Sequence, residues 1–265
     1  MKKYLLLTAM FLAVLPVDGI SQKTSTMKQT IVLVHGAWMD ASAWYKVLPL
    51  LEQKGYEVIA VNLPGHGTDT TGYADITLNS YVNAVVHVIG ARTNVILVGH
   101  SMAGIVISQV AEKIPAQINR LVYVAAYLPQ NGESLYQISE QDKDSHIGQY
   151  WRQDDPQHYS PASIAAEGIK ACFAADAPDA DVQHLIKDHK ADALAPMATA
   201  VVLTAANFGS VKKVYIHTTQ DNAVSYYLQQ LMVSKTKVDK VYSLQTSHSP
   251  FFSQPAALAD LIVND

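Results

Sequence analysis

The chain is 265 residues long, 49% apolar and 16% charged, with 19 basic and 23 acidic side chains and a formal net charge of −4. That length suits one large α/β domain with a full core, and the acidic balance argues against nucleic acid or an anionic membrane as the main partner. Cys172 is the single cysteine, so no intramolecular disulfide can form, and no Cys/His cluster has zinc-ligand spacing, so no metal site is expected.

The N-terminus opens on Lys2 and Lys3, continues as a short apolar run containing Pro16, and carries Gly19 and Ser21 ahead of Gln22. A positive start, an apolar core and small residues at the −3 and −1 positions of a cut describe a secretory signal peptide over 1–21, which predicts export to the periplasm or the exterior. The apolar run is short for a membrane span. A retained anchor is the alternative; once the segment is removed, no stable membrane association is expected. Residues 22–265 then form one domain.

Within that domain, 30–34 is an apolar, β-branched run and reads as a buried first strand, followed by His35, Gly36, Ala37 and Trp38. Residues 44–54 have helical apolar spacing and end at Gly55. A second strand is expected at 57–61, a turn at 62–67 and a helix at 81–89. The third strand is 94–98; the small-residue turn 99–104 and a helix at 105–113 follow it. Residues 120–125 read as a fourth strand, 213–217 as a fifth and 238–243 as a sixth, with helices at 224–233 and 255–263. Strands alternating with helices through short loops predict a mostly parallel central sheet with helices on both faces. The rhythm breaks over about 128–209, where only helix-like pieces near 163–173 and 181–187 stand out. That stretch reads as a cap inserted after the fourth strand, over the sheet edge where ligands sit in open α/β folds.

The chemistry centres on Gly99-His100-Ser101-Met102-Ala103-Gly104. Strand, tight small-residue turn and helix, with Ser101 at the apex, make a nucleophile elbow, although Ala103 departs from strict G-x-S-x-G. The turn lifts the hydroxyl to a helix N-terminus, where free N–H groups favour developing negative charge. A serine needs a base, and the base an orienting carboxylate, in the chain order Ser, acid, His. Asp221 follows the fifth strand and His248 the sixth, so both fall on the same sheet edge as Ser101. Backbone N–H groups of Met102 and Ala37 are the expected oxyanion donors, Gly36 letting the chain bend there. Trp38 and Tyr127 are candidates for substrate contact, Trp38 with the alternative of packing beneath its loop.

These stretches carry a resemblance. Val32-Leu-Val-His-Gly-Ala-Trp38, Leu63-Pro-Gly-His-Gly67, Val98-Gly-His-Ser-Met-Ala-Gly104 and Leu121-Val-Tyr-Val-Ala-Ala-Tyr-Leu-Pro129 look like the α/β-hydrolase superfamily. More narrowly the chain resembles the small plant-type esterase and hydroxynitrile lyase family and its bacterial relatives. The resemblance implies an α/β-hydrolase fold, an apolar pocket under the cap, a small-molecule ester substrate and no cofactor. It puts nucleophile, acid and base on Ser101, Asp221 and His248, and the oxyanion donors on Ala37 and Met102. The alternatives are hydroxynitrile lyase chemistry and a ligand-binding protein that retains the triad. Lyases of the family are expected to have Lys after the catalytic His and Thr in the first oxyanion loop; here Ser249 and Gly36 stand there, which favours ester hydrolysis.

Overall fold

The computed structural model describes residues 28–156 and 160–264. The expected signal segment 1–21 lies outside the described residues, as do His158 and Tyr159 of the expected cap. Six strands form the central sheet: β1 (Thr30–Val34), β2 (Glu57–Val61), β3 (Val95–His100), β4 (Ile118–Val124), β7 (Lys212–Thr218) and β8 (Lys240–Leu244). Two short strands, β5 (Trp151–Gln153) and β6 (Ala162–Ile164), make a separate antiparallel ribbon. The order β2-β1-β3-β4-β7-β8 is parallel throughout. Every residue of β1 and β3 is buried, which is why both read as unbroken apolar runs rather than alternating ones. The chain goes from β1 out to β2 and then crosses to β3 on the other side, so the strand order reverses between β1 and β3. That crevice is where an open parallel sheet binds its ligand.

Helices α1 (Val47–Gln53), α2 (Leu78–Ile89) and α3 (Ala103–Lys113) make the first crossovers. Between β4 and β7 the chain adds α4 (Leu135–Ser139), α5 (Ile147–Tyr150), α6 (Ala166–Phe173), α7 (Asp179–Asp188) and α8 (Ala195–Ala198). This excursion adds no strand to the central sheet. Helices α9 (Tyr226–Lys235), α10 (Pro250–Ser253) and α11 (Pro255–Val263) complete the chain. Helix α2 packs on α3, and α11 packs on α1. Among the described residues no helix is long and apolar enough to cross a membrane.

Several boundaries differ from the expected ones for local reasons. The helix expected over 44–54 is split into a 3-10 turn, Ala41–Trp44, and α1. Pro49 lies in the first turn of α1, and a proline has no N–H to bond a carbonyl four residues back, so the helix restarts rather than continuing from Trp44. Helix α2 starts three residues before the expected Tyr81, because Thr77 and Ser80 form a capping box. Ser225 accepts the Leu228 N–H at 3.1 Å, so α9 begins after it instead of at Val224. The piece expected as helix from Ser163 pairs as β6 with β5 before α6 begins, a tertiary pairing with no local period to announce it.

Candidate active site

The elbow is tightly built. Ser101 takes φ +53°, and among the described residues only Trp38 (+62°), Asn94 (+59°) and Ala125 (+46°) share positive φ without being glycine. Three of these four lie just past the C-terminal ends of β1, β3 and β4, where strain collects at the sheet edge. The Ser101 N–H donates to the Val124 carbonyl at 3.2 Å, and the Tyr127 N–H donates to the Ser101 carbonyl at 3.0 Å. A Cβ on Gly104 would stand 1.9 Å from the Tyr127 carbonyl oxygen, and one on Gly99 3.0 Å from that of Ala103. The indispensable glycine after Ser101 is therefore Gly104, and Ala103 is accommodated.

The loop after β1 runs alongside. A Cβ on Gly36 would stand 2.9 Å from the Ser101 Cβ and 2.8 Å from His100 Nδ1, so only glycine lets Ala37 come this near. Among the described residues the N–H groups of Ala37 and Met102 donate to no protein acceptor, whereas the next one along, that of Trp38, donates to Asp192 Oδ2 at 3.1 Å.

His248 Nδ1 lies 2.8 Å from Asp221 Oδ2, and both residues are buried. Asp221 also accepts from the N–H groups of Ala223 (2.8 Å) and Val224 (2.9 Å), from the Thr218 hydroxyl (2.7 Å) and from Gln229 Nε2 (3.0 Å). An ionised carboxylate is thus fully satisfied, and it puts the imidazole proton on Nδ1, leaving Nε2 with a free lone pair. Three other acids of the excursion are engaged elsewhere: Asp176 accepts from Ser247, Asp179 pairs with Lys170 and Asp181 with Lys46 and Tyr45. His100 Nε2 donates to the His248 carbonyl at 3.0 Å, and burial, with the nearby His248, holds the His100 imidazole well below its ordinary range and hence neutral.

Ala37, Trp38, Ser101, Met102 and Tyr127 all line one cavity of about 90 Å³. Its walls are Leu135, Ile147, Trp151, Phe173 and Met197 from the excursion, with Tyr136, Ser139 and Asp142 as polar points. Trp38 is therefore a lining residue; its ring centroid is 5.6 Å from that of Phe173, and the Phe173 centroid is 5.8 Å from that of His248. A larger, open polar hollow of about 740 Å³ is lined by Asp221, Asn222 and Tyr226 and reaches neither Ser101 nor Ala37.

A profile described as "Alpha/beta hydrolase family" matches residues 31–261. The chain belongs to the alpha/beta hydrolase family. It is 33% identical to putative methylesterase 11, chloroplastic, of Arabidopsis thaliana, over 88% of this chain and 62% of that protein. Against putative methylesterase 13 of the same plant it is 30% identical and spans 55% of the relative's length. Methylesterase 8 of Arabidopsis thaliana is 28% identical, with 94% of each chain covered. Polyneuridine aldehyde esterase superposes with a TM-score of 0.81 at 23% identity, covering 89% of this chain and 98% of that one. A pyrethroid hydrolase from Sphingobium faniae superposes at 0.78 with 25% identity, covering 88% and 95%.

Within this alpha/beta hydrolase, the structure brings all seven expected site residues to one sheet edge. Four neighbours of that edge were not anticipated: His100, which contacts the His248 carbonyl, Asp142, which lines the cavity, Asp192, which accepts the Trp38 N–H, and His66, which lies 3.1 Å from Asp192. Asp192 carried one readable signal, an acid inside the apolar stretch Ala191-Asp192-Ala193-Leu194, since a fully buried carboxylate has a partner. His100 and Asp142 carried none, because their neighbours come from distant segments.

Proposed function

We propose that this chain is a serine carboxylesterase that hydrolyses a small, neutral, rather apolar ester through an acyl-enzyme. The observation that carries the reading is one apolar cavity with the Ser101 elbow and the unspent Ala37 and Met102 N–H groups on its wall, backed by the Asp221–His248 pair. The names of the relatives, methylesterases and esterases, support it and bring a methyl ester forward as substrate. Ser101 Oγ attacks the ester carbonyl carbon while His248 Nε2 takes its proton. The carbonyl oxygen becomes an oxyanion facing the two N–H groups, which are worth most in a site sheltered from water. The intermediate then expels the alcohol, protonated by His248, and leaves an acyl group on Ser101. Water, deprotonated by His248, attacks that acyl group and releases the acid. Asp221 keeps His248 in the Nδ1-protonated tautomer and offsets its charge throughout.

The cavity is small, about 90 Å³, and its mostly apolar wall favours a compact, apolar group. Residues 128–209 act as the cap that closes it. Export is supported by the Lys2-Lys3 start, the apolar core and the absence of arginine from 1–21, where a transit peptide would be arginine-rich. N-terminal sequencing of the exported protein should begin at Gln22.

The test is a panel of short-chain aryl and methyl esters alongside mandelonitrile, with wild type and Ser101→Ala. Wild type should hydrolyse at least one ester and release no cyanide above the uncatalysed rate; Ser101→Ala should lose several orders of magnitude in kcat with an unchanged circular dichroism spectrum. Ser101-dependent cyanide release without ester turnover would establish a lyase instead. No turnover together with no adduct from a covalent serine probe would indicate a binding protein.

A further inference from the structure

The oxyanion loop is held from outside its own strand. Asp192, between α7 and α8, is fully buried, and its Oδ2 accepts the Trp38 backbone N–H at 3.1 Å. The same oxygen lies 3.1 Å from His66 Nε2, and Oδ1 accepts the Tyr81 hydroxyl at 2.9 Å. The Asp192 backbone pairs with Ala162 through both of its hydrogen bonds, at 2.8 and 3.0 Å. The Ala162 carbonyl in turn accepts the Trp38 indole N–H at 2.9 Å. One residue thus ties together the loop after β1, the loop after β2, helix α2 and the β5–β6 ribbon.

The charge state of the tie follows from its geometry. His66 Nδ1 lies 3.1 Å from the Pro64 carbonyl oxygen while Nε2 faces the Asp192 carboxylate. Both partners only accept, so both ring nitrogens carry protons and His66 is an imidazolium. Its neighbour His35, 4.8 Å away between ring centroids, is the opposite case. His35 Nδ1 donates to the Gly36 carbonyl at 2.8 Å and Nε2 accepts the Leu63 N–H at 3.1 Å, which makes it neutral. Trp38 meanwhile sits at φ +62°, unfavourable for a bulky side chain, and does so with both of its N–H groups engaged by this tie.

We propose that Asp192 is a positioning residue for the oxyanion hole: by holding the Trp38 N–H it fixes the Ala37–Trp38 peptide, which restricts rotation about the Ala37 Cα and so aims the Ala37 N–H, in the peptide before it, at the oxyanion. The inference rests on the hydrolase reading above. Since Asp192 belongs to the excursion over the sheet edge, the hole is complete only when that excursion is seated.

The experiment compares Asp192→Ala, Asp192→Asn and Tyr81→Phe by kcat, KM, and the inhibition constant of a trifluoromethyl ketone, whose adduct carries the oxyanion. Losing one oxyanion donor lowers kcat by about 10²–10³-fold, so Asp192→Ala should fall in that range with KM within about threefold and with the ketone weakened in step. The amide oxygen of Asn is a weaker, uncharged acceptor, which sets Asp192→Asn at about tenfold. Tyr81→Phe also removes a bond to Asp192 but leaves the Trp38 contact, so its kcat should stay within about threefold. If Asp192→Ala does not fold, the isosteric Asn variant decides: an unchanged kcat, or a rise in KM alone, overturns the proposal. Should wild type turn over no ester, the hydrolase reading fails first, and hydrogen exchange then judges the tie. Peptides covering 35–40 and 160–164 must lose protection together in Asp192→Asn; unchanged exchange overturns it.

Discussion

His35, His66 and His100 have three different neighbourhoods and one shared consequence, a pH-dependent stability whose sign can be worked out group by group. Burial first, and the His66 cation second, push His35 down to about 3, and burial likewise holds His100 low. An unfolded chain protonates both near pH 6.5, so their contribution is present above that pH and is lost as pH falls below it. His66 runs the other way. Burial is the largest influence on it and works to lower its pKa, but the Asp192 carboxylate and the Pro64 carbonyl together outweigh burial and raise it. Its contribution is full below about pH 6.5 and is lost as pH rises through the raised value. Asp192, for which burial is again the largest and opposing influence, is held low by His66, Trp38 and Tyr81, and it loses its contribution only in strong acid. The urea midpoint should therefore be highest just above pH 6.5 and decline on both sides. In His66→Gln the alkaline decline should flatten while the acid one persists; an unchanged alkaline limb would mean that His66 is neutral.

At the scale of the element, the strand–elbow–helix unit is the clearest case of local sequence and tertiary demand coinciding. The apolar run of β3, the turn and the start of α3 follow from residue types alone, since the turn around a serine at positive φ needs small residues at 99, 103 and 104. What the local pattern does not contain is the reason for Gly104. That reason is the Tyr127 backbone, 1.9 Å from where a Cβ would be, supplied by the loop after β4. A carbonyl of the main chain cannot yield as a flexible side-chain tip does. Gly104→Ala should therefore destabilise the protein by about 1–3 kcal/mol or more and lower kcat through displacement of Ser101. Gly148→Ala is the control, because a Cβ there meets nothing within 4 Å and the site is helical; it should change stability by about 0.5 kcal/mol or less. Thermal melts of the two variants check the contrast, and equal melting temperatures would contradict it.

On the scale of the whole molecule, the cavity exists only because the excursion folds back over the sheet edge. It brings Asp142 to the cavity beside Tyr127, held there by the Ser225 N–H at 2.8 Å and the Asp144 N–H at 3.3 Å. A carboxylate on a half-exposed wall repels an anionic substrate by about 1 kcal/mol, roughly five- to tenfold in rate. Wild type should therefore prefer a neutral methyl ester over a half-ester with a free carboxylate, judged by kcat/KM. Asp142→Asn should narrow that preference by about five- to tenfold and leave the neutral ester unaffected. A preference that survives the substitution would place the discrimination elsewhere.

The sequence alone determined the parallel α/β sheet, the elbow at Ser101, and the order in which Asp221 and His248 reach the same edge. Each is written in contiguous residues: apolar runs where both faces are covered, small residues where the chain turns sharply, chemistry-bearing residues just past strand ends. Only the tertiary structure decided that Trp38 lines the cavity, that residues 162–164 form a strand, and that Asp192 accepts the Trp38 N–H beside His66. Asp192 stands 154 residues from Trp38 and 126 from His66. A buried charge is stable only beside its partners, and partners so far apart along the chain leave no periodicity for a local reading to find.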